Sequence, residues 1–231
     1  MKKLVMLRIE NEIAKDSLYP VVLCDDENCI LVDCGYVGAL LKIEEALRCN
    51  GLSPEAITHI ILTHQDYDHV GAAAAFKQKF PTVRVLASVD EAPYISGSRK
   101  SLRLEQAELL QKELPAEQQE YGNAFCSLLR SVEPVQIDQL LRADDFLPFC
   151  GGCQVLATPG HTPGHISLYL SEFDTILSGD AMALEEGQPV LPNPQYTLDI
   201  EKANSSMQRL LFHPARTIIC YHGGLFEKEN L

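Results

Sequence analysis

The segment from Thr63 to Gly71 constrains the fold of this chain most, because it places metal-binding side chains between two structural elements. The apolar run His59–Leu62 before it predicts a buried strand, and Gly71 with the alanines 72–75 predicts the start of a helix. Polar side chains on such a loop cannot be buried without partners. Four of them are candidate metal ligands: His64, Asp66, Asp68 and His69. Two imidazoles and two carboxylates this close favour divalent cations, and more than one.

The length and charge of the chain limit its organisation and its partners. A chain of 231 residues is predicted to form a single domain, 1–231, with a substantial core. The net charge of −13 argues against a nucleic-acid partner, although metal ions could still supply positive charge for a small phosphoester. No apolar run is long enough to span a membrane, and residues 1–10 predict a strand rather than a signal peptide. We therefore expect a cytoplasmic protein with a small-molecule substrate, and the oligomeric state stays open.

The eight cysteines are interpreted as mainly structural. Cys24, Cys29, Cys34 and Cys220 lie in apolar runs, where cysteine acts as a small buried apolar residue. The pair Cys150–Cys153 encloses two glycines between apolar segments, which predicts a tight hairpin turn. A redox or zinc site usually needs a helix N-terminus or a second ligand pair as well.

Hydrophobic periodicity predicts alternating strands and helices in both halves of the chain. Two hairpins are predicted, from 21–24 with 29–32 and from 166–170 with 175–177. Further strands are predicted at 83–87 and 217–220, and helices at 37–49 and 200–211. Mixed sheets with helices outside them are the natural packing of such elements.

A segment at about 96–136 differs from the rest because it is rich in Gln, Glu and Leu. It predicts two helices, at 101–113 and 116–131, inserted between the two halves. Two interpretations remain open. The insertion is either a solvated helical connection or a cap over the active site, since long insertions in compact enzymes are often lids.

Ionisable residues follow five of the predicted strands directly. They are Asp33, the run 64–69, His161, Asp180 and His222. Sites commonly assemble where strands end at one edge of a sheet. These residues are therefore expected to meet.

At these residues the chain resembles the metallo-β-lactamase-fold hydrolase superfamily, over nearly its whole length. Five motifs occur in the order of that family: Asp33-Cys34-Gly35, Thr63 to Gly71, Pro159 to His165, Ser178-Gly179-Asp180 and Tyr221-His222-Gly223. The resemblance implies an α/β (α+β) fold, a four-layer αββα sandwich of two mixed β-sheets flanked by helices. It also implies a dinuclear metal site at one edge of the two sheets.

The resemblance further implies a role for each motif residue. His64, Asp66 and His161 would hold one metal, Asp68, His69 and His222 the other, and Asp180 would bridge them. Asp33 would orient a ligand or the bridging water by hydrogen bonding. Two metals would lower the pKa of a shared water, and Asp68 would take its proton.

Asp66 departs from the usual family pattern, in which a second histidine stands at this place. A carboxylate is a harder ligand than imidazole. Of two divalent ions, zinc is the first expectation, and manganese or iron gains support. The added negative charge slightly disfavours strongly anionic substrates.

These features together predict a dinuclear metal-dependent hydrolase that uses metal-bound hydroxide on an ester, thioester or lactone carbonyl. An iron-dependent redox enzyme on the same fold and a phosphodiester hydrolase remain alternatives, and the intact ligand set argues against a non-catalytic regulator. Tyr196 either contacts the substrate and donates to an oxyanion or has a packing role. Of the other histidines, His59 and His213 are predicted to be structural and His165 to support the site.

Overall fold

A computed structural model describes residues 2–11 and 16–228 of the chain. Two six-stranded mixed sheets form its centre. The first contains, in spatial order and numbered along the chain, β1 (Lys3–Met6), β4 (Val21–Cys24), β5 (Cys29–Val32), β6 (His59–Leu62), β7 (Arg84–Ser88) and β8 (Gln139–Leu141). The second contains β16 (Gly224–Glu227), β15 (Thr217–Cys220), β12 (Thr175–Leu177), β11 (Ile166–Leu170), β10 (Cys153–Ala157) and β9 (Phe146–Leu147). Two small hairpins pair β2 (Ile9–Asn11) with β3 (Asp16–Leu18), and β13 (Ala183–Glu185) with β14 (Gln188–Val190).

The helices of the described residues connect and cover these sheets. They are α1 (Leu40–Cys49), α2 (Tyr67–Val70), α3 (Ala73–Lys79), α4 (Ala92–Ile95), α5 (Leu102–Gln111), α6 (Gln119–Arg130) and α7 (Ile200–Phe212). None of them is both long and apolar enough to cross a bilayer.

Alternating side chains in the strands create the layers. In β4, Val21 and Leu23 pack against Leu168 of the second sheet, whereas Val22 belongs to the cluster that contains Phe76 of α3. Successive strand residues point to opposite faces, so one strand serves two cores. Each fully buried leucine or phenylalanine stabilises the fold by about 1.5–3 kcal/mol relative to exposure.

The second sheet repeats this division. Ile219 of β15 faces the core between the sheets, whereas Ile218 packs with Leu210 of α7 on the outer face. Helix, sheet, sheet and helix therefore lie in four layers. The predicted αββα sandwich is confirmed.

Parallel strand pairs bring the candidate ligands to one edge. β5 and β6 run parallel, so Asp33 and the segment from Thr63 onward leave the first sheet on the same side. β12 and β15 also run parallel, so Asp180 and His222 emerge together from the second sheet.

The predicted hairpin at Cys150–Cys153 is present. β9 and β10 pair antiparallel, with Cys153 opposite Leu147, and Cys150 lies in the connecting turn with φ of 50°. Both thiols are buried and unbridged.

Replacing both cysteines by serine is expected to leave metal content unchanged, because the pair forms a turn and belongs to none of the candidate ligand groups among the described residues. Each buried hydroxyl without a hydrogen bond should instead lower the free energy of unfolding by about 1–3 kcal/mol. Denaturant unfolding and elemental analysis measure the two quantities. Loss of a bound metal from the double variant would show that the cysteines form a metal site.

Cys24 and Cys29 were predicted to be small buried apolar residues, and Cys29 is buried, but their pairing was not predicted. They lie opposite each other in the β4–β5 register and form a disulfide in the structure. The hairpin geometry explains the pairing, because directly opposite residues of an antiparallel pair approach closely. Their Cα atoms are 4.1 Å apart.

The inserted segment contains the two predicted helices in shorter form. α5 and α6 pack on each other, and Ala116–Gln118 forms a 3₁₀ turn after Pro115 rather than the first turn of α6. Since proline lacks a backbone N–H, it ends or begins helical segments. Contacts of α5 and α6 with the candidate site are needed for this pair to act as a cap.

Candidate metal centre

The loop after β6 carries four candidate ligands on a short, tightly seated turn. Asp66 precedes α2, and α2 itself presents Asp68 and His69. The loop lies so close to the chain after β5 that a Cβ added at Gly71 would lie 2.3 Å from the Tyr67 carbonyl oxygen and 2.3 Å from the Val37 nitrogen. Only glycine fits there.

Asp33 organises this loop from the end of β5. Its carboxylate accepts hydrogen bonds from the Thr63 backbone nitrogen at 2.8 Å and the Thr63 hydroxyl at 2.8 Å. Asp33 Oδ2 also accepts from His69 Nδ1 at 2.8 Å. The other ring nitrogen of His69, Nε2, faces the site and lies 3.2 Å from Asp180 Oδ1. Asp33 is buried and has φ of 61°, a conformation that aspartate and asparagine tolerate better than most residues.

The structure brings all seven predicted ligands together. Within each of the two predicted groups of three, the candidate ligand atoms lie within 4.8 Å of one another: His64 with Asp66 and His161, and Asp68 with His69 and His222.

Asp180 lies between these two groups. Its Oδ2 is 3.4 Å from His161 Nε2 in one group. Its Oδ1 is 3.2 Å from His69 Nε2 and 3.5 Å from His222 Nε2 in the other. One carboxylate thus faces both groups with separate oxygens, as a bridging ligand does.

Unpaired polar atoms show that the residues present fit metal ions. Among the described residues, seven buried side-chain nitrogen or oxygen atoms lack a hydrogen bond, and five of them belong to this cluster. They are His64 Nε2, Asp66 Oδ1, His69 Nε2, His161 Nδ1 and Asp180 Oδ1. Buried polar groups without partners are costly, and divalent cations would satisfy a set of imidazole and carboxylate donors such as this one.

The close approach of carboxylates and histidines also shifts their pKa values. Burial would raise the pKa of Asp180, but the charges of His69, His222 and His161 hold that pKa well below its usual range. Burial would lower the pKa of His222, yet Asp180, Asp16 and Asp68 raise it to about 10. The Asp180 carboxylate is therefore held in its ionised form.

Three supporting residues complete the site, and sequence reasoning predicted only one of them. The predicted one, His165, accepts from the Asp180 backbone nitrogen at 2.8 Å. Asp16 Oδ2 accepts from His222 Nδ1 at 3.0 Å, so the β2–β3 hairpin orients that ring. Buried Glu91 binds the Gln65 and Gly164 backbone nitrogens, which ties the second motif to the third. No local pattern marks Asp16 or Glu91.

A further missed residue is Arg103 of α5, whose guanidinium reaches the metal cluster. Arg103 Nη2 donates to Asp66 Oδ2 at 2.6 Å, and the arginine side chain is only 3% exposed. In the sequence, the only feature that marks Arg103 is its place as a basic residue between two leucines of the predicted helix. Burial would raise the pKa of Asp66, but the Arg103 charge keeps it well below its usual range.

A cavity of about 310 Å³ opens onto the cluster. Asp68, His161, Asp180 and His222 form one wall. Aromatic and aliphatic residues form much of the remainder: Tyr67, Phe125, Val190, Leu191, Pro192 and Tyr196. Because Phe125 belongs to α6 and Arg103 to α5, the inserted helices contribute to this cavity.

Replacing Asp33 by alanine is expected to weaken metal binding on the His69 side by about 10–100-fold, because the partner that orients His69 is lost. Asp33→Asn keeps the backbone preference and the acceptor for Thr63 but removes the charge. Metal affinity is measured by competition with a chelator. The matched control is Asp144→Asn, an exposed aspartate with φ of 66°. Unaltered affinity in both Asp33 variants would contradict the role of Asp33.

Comparison with known proteins agrees with this geometry. The profile of one protein family, the metallo-beta-lactamase superfamily, matches residues 19–222. A metallo-beta-lactamase family protein from Thermus thermophilus superposes with a TM-score of 0.75 at 25% identity, covering 97% of this chain and 74% of that protein.

Two curated relatives show the range of the similarity. A hydroxyacylglutathione hydrolase of Enterobacter sp. (strain 638) is 32% identical over 207 residues, which are 87% of this chain and 60% of that enzyme. A probable metallo-hydrolase of Bacillus subtilis (strain 168) is 27% identical over 181 residues, covering 71% of this chain and 63% of the relative. The chain thus spans about three fifths of the length of these relatives.

Proposed function

The chain belongs to the metallo-beta-lactamase superfamily, and from the arrangement of its candidate ligands we propose that it is a dinuclear metal-dependent hydrolase of ester, thioester or lactone carbonyls. The observation that carries the proposal is the position of Asp180, whose two oxygens face two separate groups of ligands. A site for a single ion would not need a carboxylate between two complete groups.

The two groups of candidate ligand atoms indicate which residues would hold each ion. His64, Asp66 and His161 would hold one ion, Asp68, His69 and His222 the other, and Asp180 would contact both. Bound there, two divalent ions would lower the pKa of a water molecule and polarise a substrate carbonyl oxygen.

Asp68 is the residue proposed to move the proton. Its carboxylate lines the cavity, and Oδ2 lies 3.4 Å from His222 Nε2. The Tyr221 hydroxyl donates to the Asp68 backbone oxygen at 2.7 Å and fixes this turn. An ionised carboxylate held at the cavity wall can accept a proton from the attacking water and deliver it to the leaving group.

Tyr196, which also lines the cavity, is proposed to contact the substrate. Burial raises the pKa of its phenol, so the hydroxyl stays protonated at neutral pH and can donate a hydrogen bond. Its ring lies 5.8 Å from that of Phe125, and the two rings form an apolar surface for an acyl chain. The cavity volume is at the lower end of the range for small-molecule sites.

The charges around the cavity favour carbonyl substrates over phosphodiesters. Besides the ligand carboxylates, Asp16 and Glu185 line the cavity. Among the described lining residues, Arg103 is the only Lys or Arg, and it is already paired with Asp66. A hydroxyacylglutathione, the substrate named for the Enterobacter relative, is a thioester, which supports carbonyl chemistry.

An iron-dependent redox enzyme on the same fold is the second candidate, and Asp66 is the observation that favours it. A carboxylate in a ligand group suits iron or manganese better than a third imidazole does. The identity of the metal in protein purified without added metal, taken together with the hydrolysis rates of the substrate panel, distinguishes this candidate from a zinc hydrolase.

The test of the proposal is a substrate panel with defined metal loading. Protein loaded with zinc, manganese or, anaerobically, iron is assayed on a simple thioester, a glutathione thioester, a lactone, a carboxylic ester and a phosphodiester. Hydrolysis of at least one carbonyl substrate well above the phosphodiester is expected. Turnover of the phosphodiester alone, or no turnover by protein with both ions bound, would contradict the proposal.

A cytoplasmic location is part of the proposal. Six of the cysteines carry free thiols, which suits a reducing compartment, whereas the Cys24–Cys29 disulfide is the opposing observation. Titration of thiols in freshly lysed cells decides between them. Reactivity of all eight cysteines after denaturation would favour the cytoplasm, and reactivity of only six would favour an oxidising compartment.

A further inference from the structure

Arg103 is a buried cation whose surroundings belong to the metal site. Its Nε and Nη2 both donate to Asp66 Oδ2, at 3.1 and 2.6 Å. Its Nη1 donates to Gln106 Oε1 at 2.5 Å, and its Cζ lies 5.1 Å from the centre of the Tyr196 ring. A buried guanidinium needs an anionic partner, because an unpaired buried charge is strongly destabilising.

The same loop also holds the start of α5. Gln65 Oε1 accepts from the Leu102 backbone nitrogen at 2.7 Å, and Glu91 fixes the Gln65 side-chain amide at 3.0 Å. Two consecutive loop residues, Gln65 and Asp66, therefore bind two consecutive residues of the inserted helix. The contact is a buried junction between the ligand loop and α5 rather than a single surface ion pair.

This junction explains the departure from the family pattern at Asp66. A histidine at this position would leave Arg103 without a negatively charged partner in the ligand group. Aspartate adds one negative charge, and Arg103 offsets it with one positive charge, so that the two together match the neutral imidazole they replace. The electrostatic field at the His64–Asp66–His161 group is thereby kept close to that of three histidines.

We propose that Arg103 is a positioning residue of the metal centre, which neutralises and orients Asp66 and thereby couples the inserted helices α5 and α6 to metal binding. The proposal rests on the proposed metal site. It makes the insertion a cap that is fastened to a ligand, since the Asp66 contact ties α5 directly to the ligand loop.

The proposal predicts an outcome for Asp66→His that the ligand chemistry alone does not. Imidazole suits zinc, so the substitution by itself should improve zinc binding. With Arg103 still present, however, the buried guanidinium loses its partner and lies beside three imidazoles and a cation. Removing that charge with Arg103→Gln should restore the site.

The experiment compares zinc affinities of the wild type, Asp66→His, Arg103→Gln and the double variant by competition with a chromogenic chelator. We expect the double variant to bind zinc more tightly than Asp66→His, and the gain from Arg103→Gln to be at least about tenfold larger in the Asp66→His background than in the wild type, the size of coupling found for residues in direct contact. Arg130→Gln on α6, whose exposed guanidinium pairs with Glu108, is the matched control and should not rescue Asp66→His. Equal zinc affinity of Asp66→His and the double variant would overturn the proposal.

A second measurement separates this proposal from the proposed function. In metal-free protein, hydrogen exchange of the α5 amides is expected to be faster in Arg103→Gln and in Asp66→His than in the wild type, and no faster in the double variant than in either single one. If the wild type binds fewer than two ions, the dinuclear function fails, and this exchange pattern still decides the coupling. Additive effects of the two substitutions on exchange would overturn it.

Discussion

Asp68→Asn is expected to lower the rate of carbonyl hydrolysis by about 10²–10⁴-fold, the usual contribution of a general base, while the fold stays intact. Asparagine keeps the size of the side chain but cannot accept the proton, and it removes one anionic ligand next to His222. The backbone of the turn stays fixed, because the Tyr221 hydroxyl binds the Asp68 backbone oxygen rather than its carboxylate.

The measurement combines steady-state rates on the best substrate of the panel with circular dichroism and metal content. Loading with excess metal separates the two roles of Asp68, because it restores a weakened ion but not a missing base. A rate equal to that of the wild type, with both ions bound, would remove Asp68 from the mechanism.

Asp180→Ala is expected to weaken metal binding by more than about a hundredfold, because a shared ligand should matter more than the supporting residues whose loss costs about 10–100-fold. Three histidines lie nearest to this carboxylate: His69, His161 and His222. In the variant no negative charge would lie between them. Occupancy of both sites should fall, and hydrolysis with it.

Asp180→Asn is the companion variant, since it keeps one oxygen and loses the charge. An intermediate loss of affinity is expected. Elemental analysis at several metal concentrations gives the affinities, and denaturant unfolding of the metal-free proteins shows that the variants fold. Retention of two tightly bound ions by Asp180→Ala would contradict the bridging position.

The sheets and the positions of the ligands could be predicted from the sequence because both depend on patterns within short, continuous segments. Short apolar runs between polar turns mark strands that are buried on both faces, and Thr217–Cys220, Ile166–Leu170 and Thr175–Leu177 have the predicted bounds. An ionisable residue directly after such a strand must appear at the edge where the strand ends. Metal ligation by these residues stays a prediction until ions are counted.

The supporting contacts could not be predicted because they join distant parts of the chain. Asp16 lies 206 residues from His222, and Arg103 lies 37 residues from Asp66. Neither partner has a local pattern, since each contact depends on how the β2–β3 hairpin and the inserted helices fold back over the sheet edge. The departure at Asp66 was visible in the sequence, whereas the charge that pairs with it comes from another element.

The count of bound divalent ions per chain tests the central claim most directly. Metal-free protein is dialysed to equilibrium against increasing zinc or manganese, and bound metal is measured by elemental analysis beside Asp180→Ala. The account predicts saturation at two ions per chain in the wild type and fewer at the same free metal concentrations in the variant, because two groups of three ligands share Asp180 between them. Saturation of the wild type at one ion or at none would contradict it.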